Sequence, residues 1–248
     1  MLPLPHRGHR WRVLAAILLC GVAAGAGAAN LQVTPTTVTL PADRRAEGLT
    51  LRNSGTSPLH AQVRVFRWFQ SDGEDRLEPA TDVAVSPPML ELPPAAEQLV
   101  RIVRLGPPPA TEEASYRLIV DELPLEQDAG TKQRGLRLVL RYSIPVFLAP
   151  QDGPVPAPVL RARLFEDAQQ QHFLEIENVG DGHAQIADLG YANASGARRE
   201  IAAGLSGYVL PGQRRRWPLP ADLGTTPDGS FRARINGEAD ERVLELDR

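Results

Sequence analysis

Period-two alternation of apolar and polar positions is the dominant pattern in this chain. Leu59 to Phe69 places Ala61, Val63 and Val65 against Gln62, Arg64 and Phe66. The longest run, Gly135 to Pro150, sets Leu136, Leu138 and Leu140 on one face and Arg137, Val139 and Arg141 on the other. Tyr142, Ile144 and Val146 continue the Leu face. Side chains on a strand alternate between its two faces, so such runs predict β-strands. A long strand of evenly spaced Leu invites unwanted pairing unless this chain or another covers it. Shorter runs surround it. Leu31 to Leu40 is broken at Pro35, which predicts an edge strand or one that changes sheets, because Pro donates no ladder bond. Gly48–Asn53, Val83–Leu92 (broken at Pro87-Pro88), Gln98–Leu105 and Ser115–Leu123 complete about seven strands between residues 30 and 150. Ser115–Leu123 and the long Leu strand are expected to form an antiparallel hairpin with a long tip.

Turn chemistry separates these runs. Asn53-Ser54-Gly55 and Ser71-Asp72-Gly73 are turns, and Ala149 to Pro158, with four Pro and one Gly, reads as a semi-rigid linker. Beyond it, Val159–Phe165, Gln171–Asn178, His183–Ala192, Gly207–Leu210, Trp217–Leu219 and Phe231–Asn236 are further short strands. Asn178 precedes a Gly-rich turn, as Asn53 does, a similarity too weak to establish an internal repeat. Past residue 29 there is no sustained helical stripe, and the 23 Pro and 21 Gly are dispersed as punctuation. The expected fold class is all-β, with two immunoglobulin-like β-sandwich domains.

The first 29 residues carry Arg7, Arg10 and Arg12, an apolar run from Val13 and a small-residue end (Ala26 to Ala29). This pattern predicts a secretory signal peptide cleaved after Ala28 or Ala29. The apolar run is short and rich in Ala and Gly, which disfavours a transmembrane anchor, and Leu19 before Cys20 disfavours a lipid-attachment site. Without this segment, 24 basic residues face 30 acidic ones, a formal charge of −6. Such a balance argues against nucleic acid or an anionic membrane surface as partner. Cys20 is the only cysteine, so the exported chain has no disulfide and no thiolate chemistry.

Motifs for chemistry are missing. The sequence has no G-x-S-x-G, Walker A, H-E-x-x-H or G-x-G-x-x-G unit. His60, His172 and His183 lack metal-ligand spacing and suit surface or packing roles. Asp121 and Glu122 are adjacent on a strand, so they face opposite ways and cannot flank one bond; a solvated or salt-bridged turn is the preferred reading. Asp72 to Asp75 reads as a hairpin turn and not a calcium loop, and Arg214-Arg215-Arg216 as a solvated loop. No cofactor, metal or small-molecule substrate is expected. Recognition through an exposed sheet edge remains.

Four segments carry a resemblance: VTPTTVTLPA at Val33–Ala42, SPPMLELPPAAEQLVRI at Ser86–Ile102, SYRLIVDELP at Ser115–Pro124 and LRLVLRYSIPVFLAP at Leu136–Pro150. Together they resemble the periplasmic chaperones of chaperone–usher pilus assembly, with RYSIPVF similar to the archaic branch. The resemblance implies two immunoglobulin-like domains in an L or boomerang arrangement: signal peptide 1–29, pilus-chaperone domain 30–150, linker 151–158 and second sandwich 159–248. It implies pilus subunits and an outer-membrane usher as partners, and a periplasmic location. By analogy Leu136, Leu138 and Leu140, joined by Tyr142, are donated to the subunit. The family's two basic carboxylate anchors match Thr37 and Pro145 here, neither of which carries charge. Arg141 is the first replacement, at an even offset from Pro145, and Arg117 on the partner strand the second. Arg101 and Glu122 match an interdomain charge network. Free protein is open to self-association through the same edge. Two other readings stand beside this one: a secreted two-domain structural or adhesive module whose long strand lies in its own core, and, lower, a secreted hydrolase.

Overall fold

A computed structural model describes residues 31–123, 139–151, 153–223 and 228–247. Among the described residues seventeen strands, numbered here in chain order, form two β-sandwiches. In the first, one sheet runs β1 (Leu31–Thr34), β3 (Ala46–Asn53), β8 (Glu97–Arg104), β6 (Val83–Ser86). The facing sheet runs β2 (Val38–Leu40), β10 (Arg141–Leu148), β9 (Ala114–Leu123), β4 (Leu59–Ser71), β5 (Glu74–Pro79), with β7 (Met89–Leu92) on the start of β4. The alternation read from sequence fills the space between them: Leu49, Leu51, Val100 and Ile102 meet Ala61, Val63, Leu118, Val120, Ile144 and Val146, all nearly solvent-free.

The chain does change sheets at Pro35. β1 pairs antiparallel with β3, whereas β2 pairs parallel with β10. It changes again at Pro87-Pro88, from β6 beside β8 to β7 beside β4. The bonds Thr34–Pro35 and Ser86–Pro87 are cis. These two breaks split expected strands, and β5 adds one that alternation could not reveal, because all six of its residues are exposed. Among the described residues of this sandwich, ten strands result where about seven were expected. β4 turns into β5 through Asp72 and Gly73, both at positive φ (56° and 81°), as a two-residue hairpin demands.

The second sandwich packs β11 (Leu160–Glu166), β12 (His172–Asn178) and β15 (Arg214–Pro218) against β14 (Arg198–Val209), β13 (Ala184–Ala192), β16 (Ser230–Ile235) and β17 (Arg242–Leu244). Leu174, Ile176, Ile186, Trp217 and Phe231 fill its core. Asn53 and Asn178 do the same work in the two halves. Each is fully buried, its amide nitrogen donating to backbone carbonyls and its amide oxygen accepting the N–H of the Gly two residues on, Gly55 or Gly180. Arg214–Arg216 is not a loop: it opens β15, where Arg163, Arg214 and Arg216 surround the buried Glu175. Burial alone would raise the Glu175 pKa, but hydrogen bonds and charge from Arg216 and Arg163 hold it below the ordinary range.

A third, small apolar cluster of Trp68, Phe147, Tyr208 and Leu210 joins the two sandwiches. Polar contacts seal it. Gln70 Nε2 donates to the Tyr208 carbonyl (2.7 Å), and Gln70 Oε1 accepts from the Leu210 N–H (3.1 Å). His183 stacks flat on Phe147 with centroids 3.6 Å apart, and its Nδ1 lies 2.7 Å from Glu113 Oε1. Arg215 pairs with Asp75 across the same junction. The Pro-rich connection is fixed as well: the Ala157 N–H donates to Asp181 Oδ1 (2.8 Å), and its backbone crosses directly over Gly180 and Gly182.

Candidate functional site

The last strand of the first sandwich is paired unevenly. β9 accompanies β10 throughout, from Arg141 opposite Asp121 to Leu148 opposite Ala114. On its other side β2 covers only Val146 to Leu148. Among the described residues, Arg141 to Pro145 therefore have no strand on that side. Tyr142 and Ile144 turn inward to the core, and the Tyr142 hydroxyl donates to the Leu31 carbonyl. Burial raises the Tyr142 pKa, with Glu122 adding a smaller push in the same direction. Leu140, two residues before Tyr142, is half-buried. Leu136 and Leu138, and the expected long tip, lie outside the described residues.

The opposite face carries charge. Arg64 donates to Asp121 Oδ2 (2.6 Å), and Arg141 bonds the other oxygen of the same carboxylate. Burial works to raise the Asp121 pKa, but the hydrogen bonds and charges of Arg141 and Arg64 outweigh it and hold the carboxyl low. Four residues along β9, Arg117 stands opposite Pro145. Its guanidinium lies 3.6 Å above the Trp68 ring and 5.1 Å from that of Tyr208, so aromatic faces from both sandwiches flank it. Burial lowers its pKa. Among the described residues, no carboxylate lies within ion-pair distance of Arg117. Beneath it the Trp68 indole N–H is buried without a partner, as is the hydroxyl of nearby Ser115. The result is a half-buried cation at the junction, set in the corner between two roughly perpendicular aromatic rings beside an open strand edge.

The site residues read from sequence are distributed unequally over this arrangement. Leu140, Tyr142, Arg141 and Arg117 belong to it. Arg141, the first choice for an anion anchor, is committed to Asp121, whereas Arg117, the second choice, is not. Asp121 is not in a turn but within β9. Arg101 and Glu122 do not form the contact between the sandwiches. Arg101 is exposed in β8, opposite Gly48 and Ser86, in the sheet remote from the junction. Glu122 lies five positions beyond Arg117, opposite Ala61, roughly 16 Å along the strand from the junction. Glu113, His183, Gln70, Asp75 and Arg215 hold that position instead. The aromatic cluster itself went unread. Its signal was large aromatic side chains, Trp68 and Phe147, on faces that also carry polar or charged residues such as Gln62, Arg64, Arg141 and Ser143.

An open-edged immunoglobulin-like sandwich with a second sandwich closed onto it defines a class of two-domain assembly chaperones. Residues 30–154 match the model of the pili and flagellar-assembly chaperones, PapD N-terminal domain, and the chain belongs to that family. It is a chaperone and not an enzyme. Solved structures share the fold over nearly the whole length. The chaperone CsuC, crystallised with the tip subunit CsuE of the archaic Csu pili of Acinetobacter baumannii, is 23% identical with a TM-score of 0.70, covering 88% of this chain and 98% of its own. The chaperone SafB of Salmonella enterica, crystallised with the pilin SafA, is 20% identical with a TM-score of 0.61, over 87% and 96% of the two chains. The YadV chaperone is 17% identical with a TM-score of 0.63, over 87% and 98%. No curated protein matches the chain in sequence.

Proposed function

We propose that this chaperone works in the periplasm, exported by residues 1–29, where it completes pilus subunits by donor-strand complementation and hands them to an outer-membrane usher. The open flank of β10 beside Arg117 is the observation that supports this reading. A subunit strand adds to that flank by backbone pairing, and Leu140, Leu138 and Leu136 extend the inward face of β10 into the subunit core, next to Tyr142. Each fully buried Leu is worth roughly 1.5–3 kcal/mol, so three supply several kcal/mol before ordering costs are subtracted. The sequence has no Walker A motif, so release is driven by exchange of one donated strand for another. Arg117, rather than Arg141, receives the subunit's terminal carboxylate. Its guanidinium can offer two parallel N–H bonds, whereas the Nε of Arg141 already donates to Asp121.

The test is co-expression with a subunit encoded beside the gene. Leu138→Asp should abolish the co-purifying complex and leave the subunit degraded, while the free chaperone keeps its yield. An unchanged complex would mean that the strand is not donated.

A further inference from the structure

The proposed anchor lies where the two sandwiches meet, and part of it comes from the second. Arg117 belongs to β9, yet one of the two rings flanking it, Tyr208, belongs to β14. Tyr208 is itself held from several sides. Trp68 meets it edge-on at 5.2 Å, Gln185 Nε2 donates to its hydroxyl (3.2 Å), the Thr37 hydroxyl lies beside that oxygen, and its carbonyl accepts from Gln70. An arginine side chain has many rotamers, and fixing one costs entropy each time a ligand binds. Trp68 on one side and Tyr208 roughly at right angles to it form a corner that restricts the guanidinium in advance and leaves the N–H groups pointing away from the rings for an anion. Residues other than Tyr208 do not explain this restraint fully: Trp68 covers one flank, while Asp75, a neighbouring carboxylate, is already paired with Arg215.

We infer that Tyr208 is a positioning residue for carboxylate capture, acting through Arg117, so that the anchor is complete only while the second sandwich is docked on the first. This rests on the reading of Arg117 given above. It makes the second domain part of subunit recognition and not a passive support. A chaperone whose junction loosens loses its preference for a chain terminus while the strand edge stays available.

The experiment compares a short alternating Val-Thr peptide as free acid and as amide, binding the full-length chaperone by isothermal titration. A carboxylate held by a guanidinium should make the acid about tenfold or more tighter. Arg117→Ala should bring that ratio near one. Tyr208→Leu, which keeps Arg117, should lower the ratio about threefold or more with little change in amide affinity, and Tyr208→Phe, which restores the ring, should recover it. A wild-type ratio near one overturns the Arg117 anchor and this inference with it. A normal ratio in wild type, lost in Arg117→Ala but kept in Tyr208→Leu, overturns the role of Tyr208 alone. Should Tyr208→Leu fail to fold, the Arg117 Nε–H resonance of the wild-type protein decides. Ring-current displacement, a nuclear Overhauser contact with Tyr208 and a response to acid but not amide peptide are expected. Absence of the contact with Tyr208 overturns the proposal.

Discussion

Changing Asp121 to Asn removes a carboxylate that holds two guanidiniums at the start of β10. Asp121 is 9% exposed and accepts from Arg64 at 2.6 Å and from Arg141, the first residue of β10. Hydrogen bonds to a charged group contribute about 1.5–3 kcal/mol each when shielded. Here the two arginines are 44% and 68% exposed, so solvent screening reduces each to about 1 kcal/mol or less, and both can hydrate once released. Asn retains a carbonyl acceptor. The expected cost is therefore about 1–2 kcal/mol near neutral pH. The sign of the pH dependence follows from the lowered Asp121 pKa. A carboxyl that binds its proton more weakly when folded contributes fully above the ordinary carboxylate value of about 4 and loses that contribution as pH falls through its lower folded value. Urea unfolding of wild type and Asp121→Asn, followed by circular dichroism, should show the gap at about pH 7 and a progressively smaller gap as pH falls below about 4. A gap that persists undiminished in acid would refute the electrostatic account, and no gap at pH 7 would show that the arginines are anchored by other means.

Other expectations follow from the packing. Asn178→Ala removes a fully buried amide and leaves two carbonyl acceptors and two backbone N–H donors without it, and should cost about 2–4 kcal/mol by chemical denaturation, with Asn53→Ala similar. Gly182→Ala places a Cβ 2.6–2.7 Å from the backbone of Pro156 and Ala157; it should destabilise the junction by about 1–3 kcal/mol and raise amide exchange in the connecting segment. Glu175→Gln should destabilise the second sandwich more than Asp121→Asn does the first, since Glu175 is 1% exposed among three arginines; like Asp121, its contribution fades in acid, below the ordinary carboxylate range. Trp68→Ala empties the centre of the interdomain cluster and should widen the distribution of interdomain distances seen by small-angle scattering.

The sequence by itself determined the strands and their inward faces. Alternation is a local property, so Ala61, Val63 and Val65, or Ile144 and Val146, could be assigned to a core before any partner strand was known. It also determined where two expected strands break, because Pro35, Pro87 and Pro88 have no N–H to donate to a ladder whatever surrounds them; that both breaks are changes of sheet was decided by the fold. β5 was invisible for the same reason in reverse: a fully exposed strand has no apolar period. Tertiary structure alone decided which arginine is available. Arg117 and Arg141 are both outward residues of adjacent strands. Register puts Asp121 opposite Arg141, while Arg64 enters from β4 to share it and Trp68 and Tyr208 close on Arg117. Those neighbours lie up to about 90 residues away in the chain. The pairing of charges depends on distances across strands and between domains, which no local pattern encodes. The same holds for the junction: resemblance pointed to Arg101 and Glu122, but the second sandwich docks on the face and end of the β2–β10–β9–β4–β5 sheet near Trp68, Phe147 and Glu113.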